Sequence, residues 1–114
     1  ESYLISAIFI LKAFVLLVTL EFDSVDDKVE FKLLFAPMAS FVRAKEPTTL
    51  SYELADDDKD PKKVIIMERY VNKDSYLNVH KTSKEFLDFR GKMAQFKNLK
   101  IGGNSYYESN IGFV

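Results

Sequence analysis

His80 is the only histidine in the chain, and imidazole is the side chain whose charge changes nearest neutrality. Beside a cavity it can take a proton from a phenol or hydroquinone, or hydrogen-bond a bound carbonyl; in a helix it can equally fix a loop to backbone. Glu68 sits among apolar residues of a strand read over 64–71. Burial there raises a carboxyl pKa unless a cation pairs with it, so a structural ion pair with Arg43, Arg69 or Arg90 is the expectation. Glu68 and Tyr70 stand two apart on that strand and point the same way. Tyr52, Tyr70, Tyr76, Tyr106 and Tyr107 can line an aromatic cavity with polar tips or pack singly in core, edge or interface, and Phe86 is a further candidate wall. Asn78 and Asn104 can contact substrate oxygens, but they lie where asparagine usually serves caps and loops.

Other chemistries lack their residues. Asp56, Asp57, Asp58 and Asp60 cluster as hard-cation ligands do, yet the EF-hand spacing, turn glycine and closing glutamate are missing, so a solvated hairpin is expected and no metal. With no cysteine there is no thiolate nucleophile, disulfide or Cys-ligated metal, which fits a reducing compartment. No P-loop, GxGxxG, GxSxG or HExxH run occurs. Lys+Arg 16 against Asp+Glu 17 leaves a net charge of -1, so no global field recruits nucleic acid or an anionic membrane.

The strands and helices that carry these side chains follow from periodicity. A chain of 114 residues that is 47% hydrophobic supports one domain with little core to spare. Residues 3–20 are apolar apart from Ser6, Lys12 and Thr19 and long enough to span a bilayer. Lys12 near the centre costs about 2.5–3.5 kcal/mol on insertion scales, so a buried strand over 13–22 is expected instead; a membrane anchor requires this stretch to leave the sheet. Residues 1–11 are an extension or extra strand, residues 12–114 the domain, and the initial Glu1 implies processing or truncation. Val15–Val18 do not alternate, so both faces of that strand need cover. Helices can cover one and, in a short chain, a second copy the other.

Ser24 and Asp27 form a capping pair ahead of a helix whose stripe reads Val25, Val29, Leu33, Leu34, Met38, Phe41 and Val42. Pro37 is expected to kink or split it. A strand over 49–55 puts Leu50, Tyr52 and Leu54 on one face. Asn72 or Asp74 caps a short helix carrying His80, and Thr82 or Ser83 caps a second with Phe86, Phe89, Met93 and Phe96 on one side. Gly102 and Gly103 are expected to break the chain before a last strand at about 105–113. The order is βαββαβ, a ferredoxin-like α+β arrangement with an antiparallel sheet.

Glu46, Pro47, Leu50, Tyr52, Asp60, Pro61, Glu68, Tyr70, His80 and Ser83, in that order, resemble the marks of the antibiotic biosynthesis monooxygenase family. The resemblance covers about residues 12–114 and implies a homodimeric α+β barrel. It implies oxidation of a phenol or quinol by dioxygen without a cofactor, with His80 as the base and Glu68, Tyr52, Tyr70, Tyr76 and Phe86 about the substrate. Haem-degrading members of the family carry an Asn in the first strand, a Trp and a ligating His; residues 13–22 hold no Asn, Trp is absent and Arg90 stands about where that His falls. The family's Gly after Glu-Pro is Thr48 here. A non-catalytic small-molecule-binding or stress-related dimer of the same fold remains the alternative, and a soluble intracellular location is the expectation.

Overall fold

The computed structural model describes residues 12–114. Strand β1 (Phe14–Glu21) leads through a tight turn to helix α1 (Val25–Lys45), and β2 (Thr49–Asp56) and β3 (Lys63–Tyr70) follow as a hairpin. A π-helical turn (Ser75–His80), helix α2 (Lys84–Lys92) with a 3-10 turn (Met93–Gln95), and β4 (Lys100–Tyr107) complete the order. The four strands form one antiparallel sheet in the order β2-β3-β1-β4. This is the ferredoxin-like α+β fold expected from the element order.

The central position of β1 explains its apolar run. Phe14, Leu16, Val18 and Leu20 alternate toward the helices, where Leu20, Phe22, Phe31, Phe35, Val64, Ile66 and Phe96 form a buried cluster. The opposite face carries Val15, Leu17, Ile65 and Met67, in register as Val15↔Arg69, Leu17↔Met67 and Thr19↔Ile65, and no helix among the described residues covers it. Both faces of β1 are thus apolar for different reasons. Residues 14–20 belong to this sheet, and no helix among the described residues is long and apolar enough to cross a membrane. The remainder of the apolar stretch, and the extension expected over residues 1–11, lie outside the described residues.

Ser24 caps α1 by accepting from the Asp27 amide at 3.1 Å, with Asp26 and Asp27 in the first turn and Arg43 and Lys45 in the last. The buried stripe is Phe31, Phe35, Met38 and Val42, whereas Val25, Val29 and Leu33 are exposed. The expected stripe holds in the second half of the helix, at Met38 and Val42, whereas in the first half Phe31 and Phe35 are buried in place of Val25, Val29 and Leu33, because aromatic bulk decides which side meets the sheet. Nor does Pro37 split the helix: it forfeits one backbone bond, while buried side chains on either side of it hold both segments to one core.

Two strand readings also change. A bulge between Thr49 and Ser51 leaves Leu50 as the extra residue of β2 and turns it outward, while Tyr52 and Leu54 still pack on the core. Gly102 and Gly103 lie inside β4, which begins at Lys100 and ends at Tyr107. At Gly103, φ is +146°, and a Cβ there would sit 2.1 Å from the Leu17 carbonyl oxygen. Glycine therefore permits the close approach of β4 to β1 rather than ending the strand.

Candidate active site

The loop after β3 is built to deliver His80 into the core. Asn72 Oδ1 accepts from both the amide and the hydroxyl of Ser75 at 2.9 Å, whereas Asp74 makes no cap bond. The turn then widens, with the Lys81 amide donating to the Tyr76 carbonyl five residues back at 2.9 Å. Ser83 caps α2 through the Phe86 amide at 3.0 Å, and its hydroxyl donates to the His80 carbonyl at 3.0 Å. Thr82 instead donates to the Asn78 carbonyl. His80 is thereby held between two helical segments.

Its side chain is fully enclosed. Nδ1 lies 2.9 Å from Glu46 Oε1, which also accepts from the Thr49 hydroxyl at 3.1 Å. The rings of Phe86, Tyr52, Tyr70 and Tyr76 surround the imidazole at centroid distances of 4.9, 5.1, 5.7 and 6.4 Å. Burial holds the His80 pKa below the ordinary histidine value, against the opposing pull of the Glu46 carboxylate. A neutral imidazole donating from Nδ1 to that carboxylate presents Nε2 as an acceptor. Nε2 and Glu46 Oε2 are both buried without a hydrogen-bond partner among the described residues.

Glu68 occupies a second position in the same half of the core. It is buried on the helix-facing side of β3 and accepts from the Tyr70 hydroxyl at 2.5 Å. Burial raises its pKa to about 7, the Tyr70 hydrogen bond opposes the rise, and the nearby Glu46 carboxylate adds to it. The expected ion pair does not form. Arg69 points to the other face and holds Glu108 with a bidentate pair, Nη2 to Oε1 at 2.8 Å, and Arg90 is exposed on α2. Strand alternation forces the first result, since neighbours in sequence cannot share a face.

A cavity of about 290 Å³ lies between the sheet and α2, with Glu68, Tyr52, Tyr76 and Phe86 on its wall, Leu16 and Val18 of β1 beneath, and Lys81 and Arg90 also lining it. His80 does not line it; three of the rings around His80 do. Burial raises the Tyr52 and Tyr70 hydroxyls far above the ordinary phenol value and Tyr76 also upward, each with the Glu68 charge as the next cause. They are therefore neutral donors at physiological pH. A larger groove of about 530 Å³ at the far end of the sheet is lined by Glu21, Lys63 and Lys100, but those charges already pair with one another at 3.4 Å.

The structure brings together His80, Glu68, Tyr70, Tyr76, Tyr52 and Phe86. It leaves out Tyr106 and Tyr107, both exposed near the end of β4, although Tyr107 edges against Phe14 with centroids 5.6 Å apart. Asn78 bonds to Asp74 on the surface, and Asn104 is exposed opposite Leu17. The acidic hairpin is occupied by its own chain: Asp57 accepts from the Lys59 and Asp60 amides at 2.8 Å, and Asp56 pairs with Lys28 and Lys32. Sequence reasoning placed Glu46 only among the family's marks and missed it as the partner of His80. Its place before Pro47 carried no sign that the side chain would turn inward.

The profile of the family described as antibiotic biosynthesis monooxygenase matches residues 18–92. The chain belongs to that family. The matched span includes Glu46, Glu68, Tyr70, Tyr76 and His80, and it stops before β4. Among solved structures, a protein of Caulobacter crescentus assigned to the antibiotic biosynthesis monooxygenases is 19% identical, over 94% of this chain and 97% of that one, with a TM-score of 0.73. One from Nitrosomonas europaea with the same assignment is also 19% identical, over 87% and 92%, with a TM-score of 0.74. A conserved protein from Methanosarcina mazei is 16% identical, over 88% and 96%, with a TM-score of 0.73. At these identities the likeness is one of fold. No curated protein matches the chain.

Proposed function

We propose that this antibiotic biosynthesis monooxygenase family member is a homodimeric, cofactor-independent monooxygenase acting on an aromatic, quinol-like small molecule. The observation that carries the reading is the position of Glu68, a carboxyl whose pKa of about 7 suits proton transfer at neutral pH, on the wall of an aromatic cavity. A phenol entering the cavity gives its proton to the Glu68 carboxylate. The phenolate passes one electron to dioxygen, and the resulting superoxide and phenoxyl radical combine at a ring carbon para to the phenol oxygen. Glu68 returns its proton to the peroxide, which then loses water as its O–O bond and the adjacent C–H bond break. One oxygen atom ends in a quinone carbonyl and the other in water, so no external reductant is consumed.

A second assignment of the base is favoured by the unpartnered His80 Nε2, whose tautomer Glu46 fixes through Nδ1. It requires Tyr76 or Phe86 to move aside, since both stand between His80 and the cavity. Dimerisation is supported by the apolar sheet face of Val15, Leu17, Ile65 and Met67, which no helix among the described residues covers and a second copy would bury.

Phenol- and quinol-dependent oxygen uptake tests these assignments. Glu68→Gln is expected to lower kcat about 100-fold or more and to abolish a rise in kcat/KM as pH passes about 7. Retained activity in Glu68→Gln with loss in His80→Ala would move the base to His80. Absence of uptake with every phenol, alongside ligand binding, would leave a non-catalytic binding protein. Leu17→Glu is expected to yield a monomer in sedimentation; an unchanged mass would reject the open face as the interface.

A further inference from the structure

We infer that the cavity takes an aromatic acid, with a ring hydroxyl at Glu68 and an anionic group at the opposite end held by Lys81 and Arg90. The inference rests on the reading of this cavity as the ligand site and adds the charge its ligand must carry.

Three observations lead to it. The first is the distribution of paired charge. Lys28, Lys32, Lys63, Arg69, Lys84 and Lys100 each hold a carboxylate. Lys81 and Arg90 hold none among the described residues, yet both line the cavity. The Lys81 ammonium instead lies over the Tyr76 ring, 5.7 Å from its centroid, so it is drawn to the cavity wall by the ring face.

The second is where the two cations sit. Lys81 follows His80 directly and Arg90 lies on α2, so both reach the cavity from the helical side. Glu68 reaches it from the sheet. The lining is otherwise apolar or aromatic, including Leu16, Ile66, Phe89 and Met93. A ligand lying between the two layers therefore meets a carboxyl on the sheet side, rings along its length and two cations on the helical side.

The third is the Glu68 environment. With no cation beside it among the described residues, Glu68 is suited to a phenolic hydroxyl, whose proton its carboxylate form can accept, and unsuited to a second carboxylate, which that form would repel. That asymmetry sets the ligand's direction. Its acidic end belongs at Arg90 and Lys81, where a guanidinium can hold a carboxylate through two parallel hydrogen bonds. The volume of about 290 Å³ is at the small end for ligand pockets and suits a compact fused-ring acid.

The test uses a hydroxynaphthoate whose hydroxyl and carboxylate sit at opposite ends, compared with naphthol, by calorimetric titration of the intact protein at low and high salt. The carboxylate is expected to improve binding by at least about tenfold at low salt, an advantage that shrinks as salt rises because Arg90 is exposed. In Lys81→Gln/Arg90→Gln the advantage disappears while naphthol binding persists, and an unchanged melting temperature certifies the fold. Equal affinity for the two probes, an advantage that survives in the variant, or failure of both probes to bind would overturn the inference. Oxygen uptake with neutral phenols reads the proposed reaction separately. Uptake without acid preference removes only the acid; acid preference without uptake of any phenol or hydroxynaphthoate removes only the monooxygenase.

Discussion

The layer between the sheet and its helices has two ends that differ in kind. At one end Phe22, Phe31 and Phe96 pack ring against ring, with Phe22 and Phe31 centroids 5.1 Å apart and Phe22 and Phe96 5.4 Å apart. At the other lie all four buried polar residues of the described chain, Glu46, Glu68, Ser75 and His80. Tyr52 joins them, stacked on Phe35 at 5.1 Å and edge-on to His80 at 5.1 Å. The phenyl end gains free energy by burial alone. The polar end leaves Glu46 Oε2 and His80 Nε2 unpartnered among the described residues, at a cost of roughly 1–3 kcal/mol for each such atom. Stability is thus concentrated at one end, and it permits an under-satisfied group of titrating side chains at the other.

The largest loss of stability is expected at the phenyl end. Phe31 is fully buried and touches Phe22, Phe35, Phe89 and Phe96, so Phe31→Ala is expected to cost about 3–5 kcal/mol in urea unfolding. A loss below about 1 kcal/mol would mean that this end does not carry the fold. His80→Ala removes the hydrogen-bond partner of a buried carboxylate and should cost about 3 kcal/mol at neutral pH. Little or no loss would mean that Glu46 finds water or another donor in its place.

Glu68 behaves oppositely. Its pKa rises on folding from 4.5 to about 7, so the native state binds this proton more tightly than the unfolded chain does. The stabilisation is complete below about pH 4.5 and lost as pH rises through about 7. Glu68→Gln should therefore gain on the wild type as pH rises across that window, by up to about 3 kcal/mol. His80, whose pKa is depressed, acts in the other sense: its contribution is present above the ordinary histidine value and lost as pH falls. The difference between Glu68→Gln and wild type isolates the carboxyl, and a pH-independent difference would place Glu68 in contact with water. The smallest effect belongs to the open face, where Arg69→Ala breaks the half-exposed pair with Glu108 and should cost no more than about 1 kcal/mol in the same unfolding experiment. A larger loss would give that face a structural role of its own.

Much of this architecture is local in origin and so legible along the chain. Ser24 and Ser83 announce their helices because a hydroxyl before the first turn can satisfy its free amides. Glu68 and Tyr70 were bound to share a face because strand side chains alternate, and they do. The misreadings concern choices between equivalent local solutions. Nothing local distinguishes Val25, Val29 and Leu33 from Phe31 and Phe35 as the inward stripe, and nothing marks Gly103 as a strand residue until β1 lies beside it.

The sequence by itself determined the element order, the ferredoxin-like class, the family and most of the side chains gathered around His80, since each depends on periodicity, capping or ordered motifs. Tertiary structure alone decided that Glu46, thirty-four positions away, holds His80, that Glu68 rather than His80 meets the cavity, and that Lys81 and Arg90 line it without carboxylates. The physical reason is that a pKa, a partner and access to a cavity depend on what approaches from other elements, and chain spacing does not encode that approach.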